Sequence, residues 1–119
     1  MRARITKAFH FHAAHYLPNV PAGHKCGRMH GHSYRVVLGL EGELDPELGW
    51  VQDYAEVKAA FASLKERFDH RVLNEIPGLE NPTAELLAVY IYDQLRGDLP
   101  QLVDVTVCES ETAEAIYRP

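Results

Sequence analysis

The chain has 119 residues, with seven histidines, two cysteines and 17 acidic against 12 basic side chains, a formal net charge of −5. That length fits one domain over 1–119 with a single hydrophobic core. The acidic balance excludes broad binding to nucleic acid or to an anionic membrane surface, which needs a basic face, and two thiols are too few for a disulfide scaffold. The start Met-Arg-Ala-Arg-Ile lacks the apolar run of a signal peptide and no segment approaches membrane-spanning length, so a cytoplasmic location is the expectation.

Ala3–Ala14 carries Ile5, Phe9 and Phe11 at even spacing and reads as a strand. A loop follows, in which Pro18, Pro21, Gly23 and Gly27 forbid regular structure while His24, Lys25, Cys26 and Arg28 supply chemistry. Ser33–Glu41, with Val36, Val37, Leu38 and Leu40, is a second strand, and Glu43–Gly49 is a turn-rich connection. Asp53 with Glu56 three residues on resembles a capping box, after which Val57, Phe61, Leu64 and Phe68 recur at helical spacing. Asn81-Pro82 marks the start of a second helix, carried by Leu86, Leu87, Tyr90, Ile91 and Leu95 as far as Gly97. Leu102–Glu109 and Ala113–Arg118 close the chain as two strands joined by a turn around Glu111 and Thr112. The order ββααββ predicts an α+β fold, a four-stranded antiparallel sheet with two helices on one face. The outer strands of so small a sheet are open edges that invite pairing with another subunit.

His30 and His32, two residues apart on a strand, point to one face. With a nitrogen from His15 they make three ligands of a tetrahedral zinc whose fourth position stays open, the pattern of catalytic zinc. The dipeptide spacing alone also fits one buried and one exposed histidine around a glycine bulge. Asp69-His70 reads either as groups at a helix C-terminus or as a catalytic pair, and Glu109 as an exposed strand carboxylate or a ligand anchor. Cys108 faces opposite to Glu109 and reads as a small core residue.

Phe11-His12-Ala13-Ala14-His15, His24-Lys25-Cys26-Gly27-Arg28-Met29-His30-Gly31-His32, Asp69-His70 with Leu73-Asn74, Glu80-Asn81-Pro82-Thr83, Glu109 and Ile116-Tyr117-Arg118 resemble, nearly end to end, the 6-pyruvoyl-tetrahydropterin synthase superfamily. The three residues between Cys26 and His30 resemble its bacterial 6-carboxy-5,6,7,8-tetrahydropterin synthase branch, which serves queuosine biosynthesis. The resemblance implies the tunnelling fold, with trimers closing their sheets into a barrel and stacking as a homohexamer. It implies a lyase that converts 7,8-dihydroneopterin triphosphate to 6-carboxy-5,6,7,8-tetrahydropterin with loss of triphosphate and acetaldehyde. In that scheme His15, His30 and His32 hold Zn²⁺, Cys26 abstracts a proton, and Asp69 orients His70 for proton transfer. Glu109 anchors the pterin, with Thr83 beside the substrate and Lys25 as a cation for the triphosphate. His10, His12 and His24 remain bystanders.

Catalytic groups spread over distant segments imply that the Cys26 half and the His70 half of a site come from neighbouring subunits. Two other readings stay open: a pyruvoyl-forming synthase using the same residues, and a non-enzymatic zinc module closed by a fourth protein ligand.

Overall fold

The computed structural model describes residues 1–119. Two fourteen-residue strands, β1 (Arg2–His15) and β2 (His30–Glu43), pair antiparallel from Arg2 opposite Glu43 to His15 opposite His30. At about 3.4 Å per residue such a ribbon is about 48 Å long, which explains a molecule of 57 × 23 × 23 Å. Both strands outrun their sequence-based limits, and β2 now includes His30 and His32.

Strand alternation sorts the side chains into two faces. Phe9, Phe11, Ala13 and His15 of β1 and Tyr34, Val36, Leu38 and Leu40 of β2 are buried beneath the helices, while His10, His12, Ser33 and Arg35 face away from them. Helix α1 (Tyr54–Phe68) buries Val57, Phe61, Leu64 and Phe68, the face its periodicity indicates, and α2 (Ala84–Leu95) buries Leu87, Ala88, Ile91 and Leu95. Phe61 stacks on Phe9 at 4.3 Å between ring centroids, and Phe11 lies 5.0 Å from Tyr34 and 5.2 Å from Phe68. These side chains belong to one contiguous cluster of 21 buried residues, so the chain has a single core.

The sheet differs from the four-stranded antiparallel expectation. A two-residue strand β3 (Arg71–Val72) pairs parallel to Ala13 and Ala14 of β1, and β4 (Leu102–Cys108) and β5 (Glu114–Tyr117) complete a mixed five-stranded sheet in the order β3-β1-β2-β4-β5. Two residues are too short to show a period of two, so β3 leaves no pattern to read. Beyond β3, residues 2–11 of β1 have no strand on their outer side, and β5 is the other edge.

Both helix starts also depart from expectation. Asp53 caps α1 by accepting from Ala55 N at 2.8 Å, but Glu56 accepts from Gln52 Nε2 at 2.8 Å, so there is no reciprocal box. The cap of α2 is Thr83, whose hydroxyl accepts from Leu86 N at 3.1 Å, two residues beyond Asn81. Pro82 stays outside the helix.

On the face away from the helices, Asp104 is 1 % exposed and takes Arg4 Nη2 and Arg118 Nη2 at 2.8 Å each on its two oxygens. Burial pushes this carboxyl up, but the two arginines outweigh it and hold it below the usual carboxylate range.

Candidate active site

Because β1 ends at His15 directly opposite the first residue of β2, the register itself brings His15 and His30 together, and strand alternation adds His32. The three ring centroids lie 4.6–5.0 Å apart, and one nitrogen from each falls within 4.8 Å of the others. His15 Nδ1 donates to Pro82 O at 2.8 Å and His30 Nδ1 to Arg28 O at 2.7 Å. Those carbonyls fix the tautomers and leave Nε2 of both rings as a free lone pair. Burial lowers the His15 pKa below its ordinary value, with His30 and His32 acting in the same direction against the Pro82 carbonyl and Glu109. His32 Nε2 is buried without a hydrogen-bond partner, and the nearest carboxylate oxygen, on Glu109, is 3.9 Å away. An orphaned buried nitrogen facing two further imidazoles fits a cation with an affinity for nitrogen ligands.

The loop between β1 and β2 closes over this cluster. A single 3-10 turn at Lys25–Gly27 carries Cys26, which is half-buried and free of any disulfide. Lys25, Cys26, Leu17 and Glu109 line a cavity of about 460 Å³ together with His15, His30 and His32. Six residues proposed from the sequence therefore meet in one space. Glu109, just past β4, also borders an adjoining groove of about 550 Å³ with Thr83, Leu17, Val89 and Ile116. Largely apolar walls with carboxylates at Glu85, Glu109 and Glu114 suit a flat ring that carries N–H donors. The Thr83 lone pair is used on Leu86 N, which leaves its proton for a ligand.

Asp69 and His70 are not in this cavity. Asp69 caps the C-terminus of α1; its Oδ2 lies 3.2 Å from His70 Nδ1 and its Oδ1 accepts from His12 N at 2.9 Å. The His12 amide, with a further contribution from His70, holds the Asp69 carboxyl below its usual range. His70 sits at φ 59°, the left-handed region favoured by glycine, and its amide donates to His12 O at 2.6 Å. The ring is exposed and lies edge-on to His12, 5.9 Å between centroids, and His12 is on the sheet face opposite to His15. Asp69-His70 thus ends a helix, and its side chains stand as an oriented pair.

Three supporting roles lay outside the sequence reading. Tyr34, 1 % exposed, brings its hydroxyl within 3.3 Å of His15 Nδ1. Only its parity with His30 and His32 on β2 hints at this. The Pro82 carbonyl orients His15, and no side-chain pattern can announce a backbone acceptor. Asn74 clamps the backbone after His15, accepting from Tyr16 N at 3.0 Å and donating to Tyr16 O at 2.7 Å. Among the cations other than Lys25, Arg118 is committed to Asp104, Arg71 stands beside His70, and Arg28 borders a separate hollow within the loop.

Residues 4–119 match the model of the family described as 6-pyruvoyl tetrahydropterin synthase. A 6-carboxy-5,6,7,8-tetrahydropterin synthase of Synechocystis is 39% identical over 119 residues, covering 95% of this chain and 91% of the relative. Another from Bacillus subtilis is 31% identical over 127 residues, covering 97% and 84%. The solved structure of the Caenorhabditis elegans 6-pyruvoyl tetrahydropterin synthase superimposes with a TM-score of 0.92 at 26% identity, over 100% of this chain and 96% of that one. With a family match that spans nearly every residue and a histidine cluster, thiol and carboxylate gathered at one end of the sheet, the chain belongs to the 6-pyruvoyl tetrahydropterin synthase family of enzymes.

Proposed function

We propose that the chain is a zinc-dependent lyase that converts 7,8-dihydroneopterin triphosphate and one water to 6-carboxy-5,6,7,8-tetrahydropterin, releasing triphosphate and acetaldehyde, in 7-deazapurine biosynthesis. The observation that carries this reading is the shared cavity of His15, His30, His32, Cys26, Lys25 and Glu109. Its short Cys26-to-His30 interval and its carboxypterin-forming relatives favour that branch over the pyruvoyl-forming one.

His15, His30 and His32 would hold Zn²⁺ through three nitrogens, leaving one position for the substrate. When bound, the metal polarises the oxygens of the substrate side chain and acidifies the adjacent C–H and O–H bonds. Glu109 accepts two N–H bonds from the 2-amino and N3 edge of the pterin, which lies between the apolar walls of the groove with the Thr83 hydroxyl beside it. Cys26, over the same cavity, removes a proton from the side chain, and Lys25 on the same turn meets the triphosphate. His70, oriented by Asp69, exchanges protons with the reacting side chain. Since that pair lies on the opposite sheet face, it serves the cavity of a neighbouring subunit, within a homohexamer of stacked trimers whose open strand edges are paired.

Mass spectrometry of the products formed from 7,8-dihydroneopterin triphosphate tests the assignment. 6-Carboxy-5,6,7,8-tetrahydropterin with acetaldehyde is the expected pair. Dominant 6-pyruvoyl-tetrahydropterin would instead assign the pyruvoyl-forming reaction, which the likeness to the nematode enzyme keeps as the second reading.

A further inference from the structure

His24 lines neither the cavity nor the histidine cluster. Its ring is nevertheless engaged. Nδ1 accepts the backbone amide of Cys26 at 3.0 Å, and His24 is the N-cap residue of the 3-10 turn Lys25–Gly27. The lone pair on Nδ1 is therefore in use, so the ring proton resides on Nε2.

Backbone bonds also hold the turn, and His24 N donates to Pro21 O at 3.0 Å. Gly27 N donates to His24 O at 3.0 Å and Arg28 N to Lys25 O at 3.2 Å, both within the turn. Leu17 N donates to Cys26 O at 2.8 Å, the one bond among these that ties the turn to the strand-end segment beyond it. No residue of the turn is fully buried, so the core contributes little to fixing it. A thiol meant to meet one particular C–H bond must be placed to within a fraction of an ångström, and a three-residue turn with little help from the core cannot do that by itself.

We infer that His24 is a positioning residue for Cys26: its imidazole nitrogen takes the place of the Asn or Asp oxygen that usually caps a turn, and so fixes where the thiol stands over the cavity. This rests on the reading of Cys26 as the proton-abstracting group. The chemistry of the bond dictates which substitutes work. Asn Oδ1 lies the same number of bonds from the backbone as His Nδ1 and is an acceptor. Alanine and leucine offer no acceptor.

The test compares His24→Ala, His24→Leu and His24→Asn as zinc-loaded protein, with kcat and KM for 7,8-dihydroneopterin triphosphate and zinc content measured for each, beside Cys26→Ala. The expected result is a fall in kcat of about tenfold or more for Ala and Leu, with KM within about twofold and zinc retained, and recovery to within about threefold of the parent for Asn. A parent-like kcat in His24→Ala overturns the inference, as does a folded, zinc-loaded His24→Asn as slow as His24→Ala. Loss of zinc in His24→Ala also overturns it, because His24 would then be acting on the metal. Full activity in Cys26→Ala is the separate outcome that removes the underlying assignment of the thiol.

Discussion

His15 Nδ1 and the carbonyl of Pro82 lie 2.8 Å apart, joining the last residue of β1 to the residue before the cap of α2 across 67 positions of sequence. That bond presents Nε2 of a buried ring to His30 and His32 and couples the metal cluster to the start of the helix that walls the pterin groove.

Replacing His15 by Ala should accordingly remove one of three nitrogens, with a loss of most bound zinc and of activity together. Metal analysis by mass spectrometry reads the first and turnover the second. Full zinc occupancy in His15→Ala would show that the cluster is not the site.

The same burial gives the metal-free protein an acid-sensitive stability. The folded pKa of His15 is below its ordinary 6.5, so the unfolded chain takes up a proton that the folded one refuses. The stability associated with neutral His15 is present above about pH 6.5 and is lost as pH falls from there toward the folded value. Melting temperatures of metal-free protein should therefore drop as pH is lowered from about 7.5 to about 5.5, and His15→Gln should flatten that slope. An unchanged slope in the variant would remove His15 as its source.

Cys26→Ala should fold, keep its zinc and lose about 10²–10⁴-fold in kcat, because the thiol acts on a proton and not on the metal. Loss of zinc with the thiol would mean a closed Cys-His₃ site, and the non-enzymatic module would then be the better reading.

Legibility followed the kind of force at work. The helix faces of Val57, Phe61, Leu64 and Phe68 and the pairing of His30 with His32 were readable because burial repeats with the period of the backbone. Thr83 rather than Asn81 caps α2, because a cap is chosen by where the helix bond ladder starts and two good caps flank Pro82. β3 and the Pro82 carbonyl were invisible: the first is held by two residues, the second by a backbone atom that every residue possesses. The role of His24 was not legible, since the one hydrogen bond of its ring is to an amide two residues away.

On the open sheet face, Gly39 is opposite Asp104, and an added Cβ would run into the Asp104 carboxylate and the Arg4 guanidinium. Gly39→Ala should break the Arg4–Asp104–Arg118 arrangement and destabilise by about 1–3 kcal/mol, seen as a lowered melting temperature with zinc content unaffected. A parent-like melting temperature would show that the arginine can swing clear without loss.

Cys26 and His70 line different spaces, His70 standing beside His12 on the face away from the helices, and this carries the last prediction. If each site draws its thiol from one subunit and its imidazole from a neighbour, Cys26→Ala and His70→Ala are inactive alone for different halves of the site. Random mixing of the two under subunit-exchange conditions then places an intact Cys26 beside an intact His70 at about a quarter of the interfaces, because each half is sound in half of the subunits. Activity should return to at most about that fraction of the parent, and should vanish again when one partner carries both substitutions. Mixed assemblies confirmed by native mass spectrometry that show no activity would mean that His70 does not complete a neighbour's site.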